Sequence, residues 1–244
     1  MIIIKLDAID STNTYLKELS QKETLENFTV VSAKSQTNGK GQMGSKWVSE
    51  SNKNLIISIL IKNSIENSSR IFDLNIVVAV SIIDVLKAKN IPNLSIKWPN
   101  DIMSENKKIG GILIENSIKG ISIIDSIIGF GLNVNQTYFE NLPKASSLKN
   151  IMLYDFNIDT LIVEIVLKIE ENILIISSQK QLQNIWKKYN ELLFKKEIPT
   201  VFEDVNQNKF MGIIQKVNTN GTLNILLEND DVKSFEVKEI TMLY

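Results

Sequence analysis

Ten glycines serve a chain of 244 residues, and seven of them fall in three short segments: Gly39, Gly41 and Gly44; Gly110 and Gly111; Gly129 and Gly131. Glycine is needed where φ is positive or where the backbone must come close to something else. Two of these clusters interrupt runs that otherwise read as strands, and mid-strand glycines weaken a sheet unless a ligand or another backbone approaches there. Each cluster alone also reads as a turn or a bulge. Three together, in a chain this poor in glycine, point to backbone walls around one ligand.

The runs between the glycines indicate an α+β chain. Ile2–Lys5, Phe28–Ala33, Asn54–Ile61, Leu94–Lys97, Lys108–Glu115 and Ile121–Leu132 read as strands from their β-branched and apolar content. The Lys119-Gly120 link predicts antiparallel neighbours. Asp10-Ser11-Thr12 predicts a helix start, with Tyr15, Leu16 and Leu19 on one face. Phe72–Ala88, Ile158–Ile176 and Gln179–Leu193 carry helical apolar spacing. After Pro199 the pattern changes to short strand-like segments, and Asn220-Gly221 is a hairpin signal between two of them, so a small C-terminal barrel is expected.

Composition narrows the chemistry. The chain has no Cys and no His, so thiolate nucleophiles, thiolate metal sites and the Ser-His-Asp triad are excluded. Lys+Arg (27) nearly balances Asp+Glu (28), which gives no global attraction to nucleic acid or to an anionic membrane. No apolar run approaches the roughly 20 residues of a membrane span, and a cytoplasmic protein is expected.

Four segments carry candidate chemistry. Gln36–Trp47 is a long Gly/Lys loop between two strands. It therefore cannot be a Rossmann turn, which opens a helix, and it lacks the Gly-Lys-Ser/Thr of a P-loop. Its amides could ring a phosphate with Lys40 adding charge, and Trp47 reads either as an anchor or as a core aromatic. Lys97-Trp-Pro-Asn-Asp101 presents Asp101 at a turn, as a Mg²⁺ ligand or as a cap of its own backbone. Lys108 precedes the Gly110-Gly111 pair and reads either as a solvated strand end or as a cation reaching into a gap. In Gly129-Phe-Gly-Leu-Asn133, alternation predicts Gly129, Gly131 and Asn133 on one face.

In this order, these segments resemble the biotin–protein ligases. Their Asp-Ser-Thr-Asn element is present at Asp10–Asn13, and their Gly-Arg-Gly-Arg-x-Gly-Arg-x-Trp loop is similar to Gly39–Trp47. Lys-Trp-Pro-Asn-Asp is matched in full at Lys97–Asp101. The Lys-Ile-Gly-Gly-Ile-Leu-Ile-Glu element stands at Lys108–Glu115, Gly-x-Gly-Leu-Asn at Gly129–Asn133 and Ala-Ser-Ser-Leu at Ala145–Leu148. The loop departs from the pattern, because Lys40, Gln42 and Ser45 stand where arginines are usual.

The resemblance implies a catalytic domain like that of class II aminoacyl-tRNA synthetases at 1–195, with a mixed, mainly antiparallel sheet and packed helices. An SH3-like barrel at 196–244 would follow. It implies ATP-dependent formation of biotinyl-5'-AMP and transfer of biotin to a lysine of a biotin carboxyl carrier protein, with ATP and biotin as substrates and Mg²⁺ as the metal. Lys108 would be the catalytic cation. Ser11, Thr12, Asn13, Gln36, Gly39, Lys40, Gly41, Gln42, Lys108, Gly110, Gly111 and Gly129 would meet biotin. Lys40, Gly44, Trp47, Lys97, Asn100 and Asn133 would meet the nucleotide, and Asp101 with Asn133 would hold Mg²⁺. The signature begins at Asp10, so a ligase without a DNA-binding repressor domain is expected, as a monomer or a homodimer. A lipoate–protein ligase of the same fold and a non-catalytic regulator that binds biotinyl-AMP are the alternatives.

Overall fold

The structure, a computed structural model, describes residues 1–63, 70–119 and 122–244. The expected tight link at Gly120, and Ile121, where a strand was expected to begin, lie outside the described residues.

Seven strands form one sheet in the order β1-β2-β3-β7-β6-β5-β4: β1 (Ile2–Ile9), β2 (Thr29–Gln36), β3 (Leu55–Lys62), β4 (Leu94–Lys97), β5 (Asp101–Ser104), β6 (Lys107–Lys119) and β7 (Ser122–Leu132). Only β1 and β2 pair in parallel; the other pairs are antiparallel. The mixed, mainly antiparallel sheet expected from the sequence is therefore present. Strand β5, not singled out in the sequence, is short and pairs with β4 and β6.

Strand alternation gives the sheet two different faces. Leu55, Ile57, Ile59 and Ile61 of β3, with Ile128, Phe130 and Leu132 of β7, pack into the main core. That core is closed by helices α2 (Ile71–Ala88), α4 (Ile158–Ile173) and α5 (Gln179–Glu191). Burying a Leu or Ile side chain is worth about 1.5–3 kcal/mol, so the apolar face of α2 alone is a large contribution. A short helix α3 (Leu148–Met152), unread in the sequence, is capped by the Ser147 hydroxyl, which accepts from Asn150 N. Asp73 is buried but satisfied: Arg70 Nε and Trp186 Nε1 each donate to it at 2.8 Å.

Tyr189 of α5 is fully buried, and its hydroxyl has no hydrogen-bond partner among the described residues. Burial pushes its phenol pKa above the usual range. Leaving a buried polar group unpaired costs about 1–3 kcal/mol. Tyr189→Phe is therefore expected to leave stability unchanged or raise it by about 1 kcal/mol, as read from the urea unfolding midpoint.

The opposite face is covered only in part. Helix α1 (Thr12–Lys22) places Leu16 over Val31, Leu60 and Ile127. Beyond the start of α1 the face carries Ser58, Gly129 and Leu113 in one cross-strand row. Ile56, Gly131, Gly111, Asp101 and Lys97 form the next row. The missing side chains of Gly129, Gly131 and Gly111 make this part of the sheet a trough.

A second sheet follows, in the order β11-β10-β9-β8-β12: β8 (Pro199–Asp204), β9 (Lys209–Val217), β10 (Leu223–Leu227), β11 (Val232–Phe235) and β12 (Ile240–Leu243). Gly221, at φ +91°, closes the β9–β10 hairpin expected from Asn220-Gly221. The expected closed barrel is not formed. Among the described residues β11 and β12 are the two edges of the sheet and do not pair with each other: β11 pairs with β10 alone and β12 with β8 alone. The second sheet is held to the turn between β4 and β5 and to α5. Trp98 Nε1 donates to Gly221 O at 2.9 Å, and Asn190 Oδ1 accepts from Val217 N at 2.6 Å. No helix among the described residues is long and apolar enough to cross a membrane.

Candidate active site

The trough is the floor of a cleft of about 540 Å³. The start of α1 and Gln36 line it at one end, and Lys97, Asp101 and Lys108 at the other. The glycine loop roofs it, and Thr241 and Met242 of β12, with Lys238 from the turn before that strand, add a wall. The sequence carries no local signal for that wall, because the contact joins segments far apart in the chain.

Of the residues singled out from the sequence, Ser11, Thr12, Asn13, Gln36, Lys40, Gly41, Gln42, Trp47, Lys97, Asn100, Asp101, Lys108, Gly111 and Gly129 line this one cleft. Gly39, Gly44, Gly110 and Asn133 are not among its lining residues. Gly39 lies behind the lining: a Cβ there would meet Trp47 O and Gln36 Nε2. Gly110 faces the helix layer, where a Cβ would meet Gly131 O, Phe130 and Leu132. Asn133 follows the last residue of β7, and the alternation that predicted its direction has stopped there. Its backbone N–H donates to Ile109 O at 2.7 Å and its Nδ2 to Ser146 O at 3.0 Å.

At the polar end, a hydrogen-bonded chain of buried and half-buried side chains builds the wall. Thr12 N donates to Gln36 Oε1 at 2.8 Å. Ser58 Oγ lies 2.8 Å from Thr12 Oγ1 and 2.6 Å from Asn13 Oδ1, and Asn13 Nδ2 donates to Glu115 Oε2 at 2.8 Å. Gly129 is required here, because a Cβ would fall on Asn13 Oδ1. Ser58 and Glu115 were missed in the sequence. Ser58 is the single polar residue within the apolar run Leu55–Ile61, and that exception was the available signal.

At the cationic end, Lys108 Nζ lies 2.6 Å from Asp101 Oδ1 and Lys97 Nζ lies 3.7 Å from Asp101 Oδ2. Lys144 adds a third cation, 4.1 Å from the centre of the Tyr244 ring, with Lys97 at 5.4 Å from the same ring. Asp101 is the only carboxylate among the residues that line the cleft, so this end carries excess positive charge. The Trp47 indole lies against Gly131, and its Nε1 is buried without a hydrogen-bond partner among the described residues.

Burial lowers the pKa of Lys97, and the nearby Lys108 and Lys144 lower it further, against the opposing pull of Asp101. The folded state therefore binds fewer protons than the unfolded chain between this lowered value and the ordinary lysine range. Stability contributed by this group rises with pH through that window. An arriving anion favours the charged amine. Binding of a polyphosphate anion in that window is expected to take up protons, and Lys97→Met to abolish the uptake. Calorimetry in two buffers of different ionisation enthalpy measures both.

The fold is shared with solved structures. The biotin protein ligase of Aquifex aeolicus in complex with biotin and ATP superposes with a TM-score of 0.81 at 26% identity, covering 99% of this chain and 98% of that one. Residues 6–133, more than half of the chain, match the model of the Biotin/lipoate A/B protein ligase family, and the chain belongs to that family. The bifunctional ligase/repressor BirA of Bacillus spizizenii is 34% identical over 134 residues, which are 55% of this chain and 41% of that protein. The biotin–protein ligase of Homo sapiens is 30% identical over 145 residues, 56% of this chain and 19% of that protein. The match thus spans less than half the length of either relative.

Proposed function

We propose that this chain is an ATP-dependent biotin–protein ligase, which forms biotinyl-5'-AMP and passes biotin to a lysine of a biotin carboxyl carrier protein. The observation that carries the proposal is the Lys108 amine at the end of the glycine trough, paired with Asp101 and flanked by Lys97. Family membership supports the chemistry, and the likeness to the Aquifex aeolicus enzyme, solved with biotin and ATP, supports the two substrates.

A free carboxylate resists attack by an amine. In the first half-reaction a biotin carboxylate oxygen attacks the α-phosphorus of ATP, and the bond to the bridging oxygen breaks to release pyrophosphate. Two anions must meet, so positive charge aimed at the junction lowers the barrier. Lys108 supplies it, with Lys97 beside it. In the second half-reaction the amine of a carrier lysine attacks the mixed anhydride carbon. AMP leaves with the bonding electrons and the amine gives up a proton. No covalent enzyme intermediate is needed, in keeping with a chain that has neither Cys nor His.

Ser11, Thr12, Asn13 and Gln36 form the end of the cleft suited to a polar ring, and Gly111 and Gly129 leave room for it. Lys40, Gly41 and Gln42 roof the adenylate and keep water from it, and Trp47 and Asn100 line the nucleotide's path. Lys40 Nζ donates to Thr14 Oγ1 at 2.8 Å, which ties the roof to α1. The donor set suits Mg²⁺ in one mode only. That ion usually arrives with phosphates and takes one or two carboxylates, and Asp101 offers one. When bound it shields phosphate charge. We assign residues 1–195 to the catalytic domain and 196–244 to a C-terminal domain whose strand β12 completes the cleft. The reaction would take place in the cytoplasm.

Pyrophosphate exchange into ATP tests the substrate. Biotin is expected to drive exchange and lipoic acid to leave it at background. Exchange driven by lipoic acid would make the chain a lipoate ligase. Tight retention of biotinyl-AMP without transfer to a carrier would make it a regulator.

A further inference from the structure

We propose that Glu115 is a positioning residue that fixes the hydrogen-bond polarity of the cleft wall, and that this polarity selects a carboxylic acid bearing a cyclic urea. The inference rests on the biotin reading and deepens it. Glu115 and Ser58 stand behind the lining and act through Asn13 and Thr12.

Asn13 Nδ2 donates to Glu115 Oε2 at 2.8 Å, and a carboxylate only accepts. This turns Asn13 Oδ1 toward the Ser58 hydroxyl, 2.6 Å away. Ser58 has one proton to give, and Asn13 Oδ1 has none, so the Ser58 proton goes to Asn13. Thr12 Oγ1, 2.8 Å from Ser58 Oγ, must then give its proton to Ser58 rather than to Gln36 Oε1 at 3.1 Å. Gln36 Oε1 still accepts from Thr12 N, which leaves Gln36 Nε2 as a donor with no acceptor among the described residues.

The lining thus offers an acceptor at Thr12 Oγ1 and a donor at Gln36 Nε2. Ser58 is fully buried, while Thr12 and Asn13 are each 3% exposed, so water does not compete at the three central links; Gln36 and Glu115 at the ends are half-buried. A cyclic urea presents N–H donors beside a carbonyl acceptor and pairs with both groups. A dithiolane or plain alkyl acid pairs with neither and leaves them desolvated, and unpaired groups of this kind dominate discrimination. Reversing the Asn13 amide would reverse every proton in the chain, and the Glu115 carboxylate prevents it.

Calorimetric binding to the full chain, without ATP, tests this with biotin, desthiobiotin (which keeps the urea) and lipoic acid (which lacks it). Glu115→Met is expected to weaken biotin and desthiobiotin by about tenfold and to leave lipoic acid unchanged. Glu115→Gln should restore most of the loss, because its amide oxygen can accept. Ser58→Ala should give the same selective loss, and it stands in if the Met variant fails to fold. Unchanged biotin affinity in both Glu115→Met and Ser58→Ala would overturn the assignment. An equal loss for all three acids would make Glu115 merely structural and would also overturn it. Failure of the wild type to prefer biotin over lipoic acid would instead overturn the biotin reading, and this inference with it.

Discussion

Lys108→Ala is expected to lower biotin-dependent ATP–pyrophosphate exchange by about 10²-fold or more, the scale for losing one preorganised group that stabilises developing charge. The fold should survive. The Lys108 side chain is 36% exposed, and a partly exposed ion pair contributes no more than about 1 kcal/mol. Lys97 does not replace it, because its amine stands 3.7 Å from the other oxygen of Asp101. Lys108→Arg keeps the charge but swaps a compact ammonium for a planar fork, and it should recover only part of the rate. Exchange kinetics beside a melting curve separate loss of chemistry from loss of fold. Near-wild-type exchange in folded Lys108→Ala would remove this amine from its role.

The second large effect is expected at Gly129. An added Cβ would fall on Asn13 Oδ1, and Asn13 cannot yield freely, because Ser58 and Glu115 hold both ends of its amide. Overpacking of this kind costs about 1–3 kcal/mol. Gly129→Ala is expected to lose that much stability and to weaken biotin binding by more than about tenfold, since the displaced amide belongs to the wall. Gly111→Ala is the contrast. Its Cβ would meet Lys108 Cε and Nζ at 3.5 Å, an ordinary contact, so the variant should fold like the wild type. Denaturant unfolding and biotin calorimetry on the pair check both statements. Equal unfolding midpoints of the two variants would mean that the Asn13 contact has no special weight.

What could be read from the sequence is what depends on residue type and short-range order. β-branched runs announced β3, β6 and β7, while the side chains that come close to the glycines of β7, Asn13 and Trp47, could not be named from local pattern. The Lys97–Asp101 and Lys108–Glu115 segments fall on adjacent strands, and so their charges meet. What could not be read depends on where strands stop and on contacts between distant segments. Asn133 was placed by alternation, but β7 ends one residue before it. Asp101 was read at the mouth of the Pro99-Asn100 turn and stands there, but the strand it opens, β5, carried no signal of its own. The C-terminal strands read as a barrel, since local pattern does not say whether two edges will meet. The wall they add to the cleft depends on the Trp98–Gly221 bond between segments 123 residues apart.

Isolating the adenylate tests the account most directly. The wild-type chain, given biotin, ATP labelled at the α-phosphate and Mg²⁺ but no carrier, is passed through gel filtration. We expect biotinyl-5'-AMP to remain with the protein at close to one per chain, and to be lost when biotin is omitted. Recovery of unreacted labelled ATP alone, from a chain that still binds both compounds, would contradict a cleft built to join them.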